Sequence, residues 1–150
     1  MKITREADYA IRIMIRLAMA KGRLGASEIA EDTAISQRFA LKILNKLCHA
    51  GLVISFKGIR GGYCLNKPAE DVTLLDVITT IDGDIAINNC LQEEGTCERI
   101  DRLLCPVHHR FVSINRMIRN ELNAITIASL VRDGEILAMA NSELKSAEAK

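Results

Sequence analysis

The sequence has 150 residues, of which 26% are charged, and a formal net charge of +1. A chain of this length builds one ordinary core with an appended element rather than two full domains. No apolar run reaches the roughly 20 residues of a membrane helix, and the first residues lack the apolar segment of a signal peptide. We therefore expect a cytoplasmic protein with no membrane partner. Its five cysteines are then expected to be ligands or reactive thiols rather than a disulfide framework.

The charge is distributed unevenly along the chain. Residues 1–67 contain 12 Lys and Arg against 5 Asp and Glu, a net of +7, whereas residues 68–150 contain 8 against 14, a net of −6. Pro68 marks the boundary. An accidental spread of surface charge is the alternative, but the asymmetry favours a first part that binds a polyanion.

Three helices are predicted in the basic part. The first runs from Asp8 to Ala20, where apolar residues recur at helical spacing, and the second begins at an N-cap, Ser27. The third begins at another N-cap, Ser36, and continues to Ala50 with Gly51 as its stop. One face of this helix is apolar, with Phe39, Ile43, Leu47 and Ala50. The opposite face is polar, with Gln37, Arg38, Lys42, Asn45 and Lys46.

A β-hairpin with a basic tip follows the third helix. Residues 52–56 and 63–65 are rich in β-formers, and the glycine-rich turn between them carries Lys57 and Arg60. A Walker loop would lead into a helix, whereas this turn leads into a strand. Three helices and a hairpin predict a winged helix-turn-helix domain that binds double-stranded DNA, with the third helix in the major groove. The predicted DNA-binding residues are Ser36, Gln37, Arg38, Lys42, Lys57 and Arg60. The simpler alternatives are a solvated helix face and an ordinary tight turn.

Beyond Pro68 the pattern is mainly helical. Thr73 and Asp76 form a capping box for a short helix that ends near Gly83, and residues 88–104 form a polar loop, with one helical turn near 98–102. A long helix runs from Pro106 to about Ala124. It carries an apolar stripe of Val107, Phe111, Ile114, Ile118 and Leu122 that ends at Ile125. Thr126 then caps a last helix to about Val131, and a frayed tail begins at Ser142.

The apolar stripe predicts a homodimer, because a protein that binds a palindromic operator has two-fold symmetry. Packing of the stripe on its own chain is the alternative. The predicted fold is thus mainly α with a small β-hairpin wing. Three parts follow: a winged helix-turn-helix domain at 1–67, a connecting helix and ligand loop at 68–104, and a dimerisation helix with a C-terminal tail at 105–150.

Soft ligands are concentrated in one segment, at Cys90, Cys97, Cys105 and His108. Pro106 suits the first helical position, so Cys105 is the predicted N-cap and His108 lies in the first turn, where the positive end of the helix favours a thiolate. Such a set suits zinc or an iron–sulfur centre, although its spacing matches no standard zinc finger or ferredoxin. His109 is predicted to be a surface residue. Cys48 and Cys64, within the third helix and the wing, are predicted to be small apolar residues.

Short motifs along nearly the whole chain resemble the Rrf-type family of bacterial winged-helix regulators. They are Met1-Lys2-Ile3-Thr4, Asp8-Tyr9-Ala10, Ile35-Ser36, Ala50-Gly51-Leu52-Val53, Lys57-Gly58, Gly61-Gly62-Tyr63, the three cysteines and Asn123-Ala124-Ile125-Thr126. The resemblance implies a dimeric DNA-binding regulator that holds a [2Fe-2S] or [4Fe-4S] cluster through the three cysteines. In IscR-like members the fourth ligand is a histidine that matches His108, and in NsrR-like members it is an aspartate of the other subunit that matches Asp8. The cysteine spacing here departs from the family's shorter, even spacing, so the cluster type and the fourth ligand stay open.

The predicted function is therefore a transcriptional regulator whose iron–sulfur cluster senses iron, redox state or nitric oxide. No spacing of a catalytic triad, zincin or nucleotide loop is found, so we do not expect an enzyme. Two alternatives remain open, a winged-helix protein with structural zinc and an iron–sulfur electron carrier.

Overall fold

The computed structural model describes residues 2–58, 60–92, 95 and 104–148, with side chains described as far as residue 138. Six α-helices and one hairpin are found in these ranges. They are α1 (Arg5–Met19), α2 (Ala26–Asp32), α3 (Gln37–His49), β1 (Val53–Phe56), β2 (Gly62–Leu65), α4 (Leu74–Asp82), α5 (Pro106–Ala124) and α6 (Ile127–Glu148). Two short 3₁₀ turns, Ala69–Asp71 and Asn89–Leu91, flank α4. The mainly helical fold with one small wing is confirmed.

The core forms where α1, α3 and α4 meet. Each helix contributes side chains that are fully buried, such as Ile13 from α1, Leu44 from α3 and Val77 from α4. Burial of one such aliphatic side chain contributes roughly 1.5–3 kcal/mol. Ile127, the first residue of α6, is also fully buried in this cluster. The start of α6 is therefore part of the same core as α1, α3 and α4.

Two backbone hydrogen bonds fix the junction between α5 and α6. Leu74 N donates to Ile125 O at 2.9 Å, and Ile127 N donates to Val72 O at 2.8 Å. Thr126 caps α6 as predicted, because its hydroxyl accepts from Ser129 N at 3.1 Å. The end of the long helix is thereby tied to the residues that begin α4.

Several helix ends agree with the sequence. Ser36 caps α3, and Gly51 follows it with a φ of +71°, in the left-handed region that glycine favours. The capping box of Thr73 and Asp76 is complete, and α5 begins at Pro106 with Cys105 as N-cap. These predictions are confirmed because each depends on local chemistry: a capping side chain contacts the nearby backbone, and glycine adopts a positive φ without strain.

Other predicted ends were wrong. Thr4 caps α1, which begins three residues before Asp8, and α2 begins at Ala26 after Gly25, so Ser27 is inside the helix and not its cap. The last helix continues past Val131 through Gly134 to Glu148, so residues 142–148 are helical and not a frayed tail. A single glycine costs only about 1 kcal/mol in a helix and does not have to end it. The helical turn predicted near 98–102 lies outside the described residues.

Candidate nucleic-acid interface and cysteine site

The outer face of α3 is the first half of the candidate DNA interface. Ser36 Oγ accepts from Phe39 N at 3.3 Å, and this cap fixes the first turn, where Gln37 and Arg38 are exposed. Four residues of the opposite face are buried: Ala40, Ile43, Leu44 and Leu47. The amphipathic pattern is therefore confirmed, except that Phe39 is only half-buried and Ala50 is exposed. Helix α3 presents its first turn outward while its apolar side packs on the core.

The wing is the second half of the interface. Val53 pairs with Leu65 and Phe56 with Gly62 in antiparallel register, and Lys57 and Arg60 are exposed at the tip. Leu24 forms an isolated antiparallel bridge with Tyr63, because Leu24 N donates to Tyr63 O at 3.0 Å and Tyr63 N donates back to Leu24 O at 2.9 Å. A Cβ at Gly62 would lie 2.7 Å from Leu24 O, so this close pairing requires glycine.

Arg23 supports the wing, and the sequence motifs gave no indication of it. Its guanidinium carbon lies 3.4 Å from the centroid of the Phe56 ring, and Nη1 donates to Arg60 O at 3.4 Å. A cation over an aromatic face is attracted to it, and the contact holds the arginine against the hairpin. The only local signal was a basic residue just before the Leu24 bridge, which does not reveal a partner more than thirty positions away.

Lys42 and Lys46 are less available than the sequence suggested. Lys42 Nζ donates to Oε2 of Glu6 at 2.9 Å, and Lys46 Nζ lies 2.8 Å from Oε1 of the same carboxylate. Lys46 is half-buried rather than on an open polar face. Burial alone would raise the pKa of the Glu6 carboxyl, but hydrogen bonds and charge from Lys46 and Lys42 outweigh burial and lower that pKa. Glu6 thus joins α1 to α3 as a carboxylate.

The start of α5 places a thiol and an imidazole side by side. Cys105 Sγ accepts from His108 N at 3.4 Å, so the thiol occupies the N-cap position. His108 Nδ1 is buried, and it has no hydrogen-bond partner among the described residues. The neighbouring His109 is exposed, with its ring centroid 6.1 Å from that of His108. Burying a polar nitrogen without a hydrogen-bond partner costs free energy of folding. Ligation of a metal centre would give this nitrogen a partner.

Cys90 lies in the 3₁₀ turn Asn89–Leu91, which packs against α5. Asn88 caps this turn by accepting from Cys90 N at 3.4 Å. Asn115 of α5 holds the chain just before the turn, because its side chain accepts from Ile87 N at 3.1 Å and donates to Ile85 O at 2.9 Å. Both Cys90 and Cys105 are half-buried and in no disulfide. The turn with Cys90 therefore packs on α5, and Cys105 caps the start of the same helix.

The other predicted ligands are not brought together in the described part of the chain. Cys97 lies outside the described residues, and within those residues no three His, Cys, Asp or Glu side chains converge on one point. Asp8 is exposed on α1 and accepts from Arg12 Nε at 3.0 Å, a contact that raises the pKa of Arg12. Asp8 is thus engaged by Arg12 on the surface of its own chain.

Cys48 and Cys64 are half-buried, and Cys48 packs against the core cluster. Burial raises the pKa of the Cys48 thiol, and a hydrogen bond with Ser55 opposes the shift only partly. A raised pKa keeps the thiol protonated, and a protonated thiol is neither a good nucleophile nor a metal ligand. Cys48 has the properties of a small apolar residue.

The chain matches one family of transcriptional regulators over most of its length. The family model described as Rrf2, iron-dependent transcriptional regulator, matches residues 3–133. The chain belongs to the Rrf2 family. The HTH-type transcriptional regulator IscR of Serratia proteamaculans is 31% identical over 145 residues, which are 95% of this Rrf2 chain and 87% of the relative. The relatives are named as transcriptional regulators, which confirms the expectation of a regulator rather than an enzyme.

Solved structures agree with the winged-helix fold of this Rrf2 chain. CymR, the global cysteine regulator of B. subtilis, superposes with a TM-score of 0.73 at 25% identity, over 88% of this chain and 97% of CymR. T. potens IscR superposes with a TM-score of 0.70 over 89% of this chain and 88% of that one, and its 23% identity supports the fold alone. Since one solved relative is described as a cysteine regulator, family membership establishes transcriptional regulation and not one cofactor. No helix in the described ranges is long and apolar enough to span a bilayer.

Proposed function

We propose that this Rrf2 regulator is a homodimer that binds its operator through α3 and the wing, and that an iron–sulfur cluster near the start of α5 modulates this binding. The observation that carries the proposal is the first turn of α5, where the Cys105 thiol caps the helix beside a buried His108 nitrogen with no described partner. The description of the matching family as iron-dependent supports the same cofactor.

The donor set fits the proposed cluster. Cysteine thiolates hold iron–sulfur centres, and a histidine nitrogen replaces a thiolate in some of them. Cys90 and Cys105 lie on elements packed together, Cys97 follows Cys90 in the same connection, and His108 is one turn into α5. When bound, such a cluster supplies an iron–thiolate centre that responds to iron supply, oxidants or nitric oxide. The residues that would hold it are Cys90, Cys97, Cys105 and a fourth ligand.

Two residues compete for the fourth position. His108 is already adjacent to Cys105, and its buried Nδ1 lacks a described partner. Asp8 is exposed and paired with Arg12 in its own chain, and it would have to reach the cluster of the other subunit. The local geometry favours His108, because ligation would satisfy a buried nitrogen without breaking an ion pair.

Residues on the surface of α5 support the homodimer. Val107, Ile114 and Met117 lie on one side of α5 and are between 40% and 56% exposed in the single chain. Three large apolar side chains on one side of a helix form a surface that a second copy would remove from water. Because Cys105 caps the start of the same helix, the cysteine site would lie next to the dimer interface.

The DNA interface would combine base contacts and phosphate contacts. Gln37 and Arg38 occupy the exposed first turn of α3, where a recognition helix approaches base edges, with Ser36 holding the turn. Lys57 and Arg60 on the wing would contact the phosphate backbone or the minor groove. Lys42 was predicted to join them, but Glu6 already holds its ammonium group, so we do not include it in the proposed interface.

The presence of the cluster is tested by purifying the protein without oxygen and recording its visible absorption spectrum. Cys97→Ala should abolish the iron–thiolate chromophore, whereas the matched control Cys64→Ala, in β2, should leave it intact. His108→Ala and Asp8→Ala separate the two ligand sets, because only loss of the true fourth ligand should change the spectrum or its lifetime in air. A colourless parent protein that contains zinc would contradict the proposal.

A further inference from the structure

Two lysines on one side of α3 share a single carboxylate. Glu6 Oε2 accepts from Lys42 Nζ at 2.9 Å, and Oε1 lies 2.8 Å from Lys46 Nζ. The Glu6 side chain is only 18% exposed, whereas Lys42 is 59% and Lys46 is 38% exposed. The carboxylate is therefore the inner partner, and both ammonium groups are drawn towards it from the surface.

The position of Glu6 is fixed by neighbouring contacts. It lies in the first turn of α1, whose N-cap Thr4 accepts from Ala7 N at 3.2 Å. Thr4 N in turn donates to Asp82 Oδ2 at 3.0 Å at the end of α4. Lys46 Nζ also lies within 3.5 Å of Ile81 O. The turn of α1 that carries the carboxylate is thus tied to the end of α4, which anchors Glu6 beside the two lysines of α3.

An anchored carboxylate opposes the binding of DNA phosphates by these lysines. A lysine adds to DNA affinity when its ammonium replaces a counterion on a phosphate, and each such replacement adds about 0.9 to the salt slope on B-DNA. An ammonium that already has a carboxylate partner must give it up to do so. Arg38 and Lys57 differ, because neither has a carboxylate partner among the described residues.

We propose that Glu6 is a positioning residue of the DNA interface, which holds Lys42 and Lys46 on the protein and withholds both ammonium groups from DNA phosphates. This inference rests on the proposed placement of α3 against DNA. Glu6 lowers sequence-independent affinity and leaves the exposed Arg38 and the wing to determine where the protein binds. A lower affinity for non-operator DNA favours specific binding, because specificity is the ratio of operator binding to non-specific binding.

The test uses a fluorescently labelled random-sequence duplex of about thirty base pairs. Its affinity for the whole chain is measured by anisotropy at several salt concentrations, which gives the salt slope. Glu6→Gln should bind more tightly and have a steeper salt slope, by up to roughly 1.8 for two freed ammonium groups. Glu31→Gln is the matched control, because it removes an exposed carboxylate of α2 that has no basic partner in the described residues. A slope for Glu6→Gln no steeper than that of the control would overturn the inference.

A double-mutant cycle separates the specific ion pairs from a general charge effect. Lys42→Met should leave the slope unchanged in the parent protein but lower it by about 0.9 in the Glu6→Gln background. An equal effect in both backgrounds would contradict the proposal. If Glu6→Gln does not fold, two single variants of the parent protein still test the proposal. Lys42→Met should leave the salt slope unchanged, whereas Lys57→Met should lower it.

The same experiments distinguish this inference from the proposed function. If neither Lys57→Met nor Arg38→Ala changes binding, the α3 and wing interface is wrong and the inference fails with it. If those variants weaken binding while the Glu6 and Lys42 variants behave like their controls, only the role of Glu6 is refuted.

Discussion

Arg38 and Lys57 are both exposed cations, but their chemistry suits different parts of DNA. Arg38 lies in the first turn of α3, and a guanidinium group can bind the O6 and N7 atoms of guanine in a bidentate manner. Lys57 lies at the wing tip, where a compact ammonium group acts as a point charge towards phosphate. Loss of the first should therefore affect sequence preference, and loss of the second should affect affinity for any sequence.

We expect Arg38→Ala to cost roughly 1–3 kcal/mol on an operator selected from a random library and much less on a scrambled duplex. Lys57→Ala should weaken both complexes about equally and lower the salt slope by roughly 0.9. Anisotropy titrations at several salt concentrations measure both effects. Wild-type affinity in both variants would place the recognition surface elsewhere on the molecule.

At the scale of elements, the sequence predicted those features that depend on neighbouring residues. Ser36 at the start of α3 and Cys105 before Pro106 were found because a cap is a contact with the backbone three residues away. The ion pairs of Glu6 with α3 and the contact of Arg23 with Phe56 were not found, because their partners lie more than thirty positions away. Local patterns contain no information on such pairs.

Helix α6 shows a second limit of local patterns. Its length was underestimated because its apolar residues do not follow one face. By contrast, the stripe of α5 predicted both the helix and an apolar surface, and Ile114 and Val107 are indeed exposed in the single chain. The amphipathic period is informative only where a helix packs along one side.

Ile114→Glu should convert a dimer into a monomer. Ile114 is 40% exposed in the single chain, and a carboxylate there would be buried without a partner in the proposed dimer, at a cost of several kcal/mol. The matched control Asn120→Glu adds the same charge at an exposed polar position of α5 and should stay dimeric. Sedimentation velocity at micromolar concentration distinguishes the two states. A monomeric parent would contradict the proposed assembly.

Across the whole molecule, packed elements connect the cysteines at the start of α5 to α3. Cys105 caps the start of α5, and Ile125, which follows its last residue, accepts from Leu74 N at the start of α4. Helix α4 packs on both α1 and α3, and Glu6 of α1 holds the lysines of α3. A change in the position of α5 thus has a contiguous physical route to α3, although only a measured coupling shows that the route is used.

In the proposed function, cluster occupancy and DNA binding are coupled. The direct test is to measure, without oxygen, the affinity of the holo and apo proteins for a panel of operators. Because coupling between two binding sites is reciprocal and typically amounts to about 1–3 kcal/mol, we expect removal of the cluster to change affinity for at least one operator by about fivefold or more. DNA should correspondingly change the retention of the cluster. Equal affinity of the holo and apo forms for every operator would contradict the sensor function.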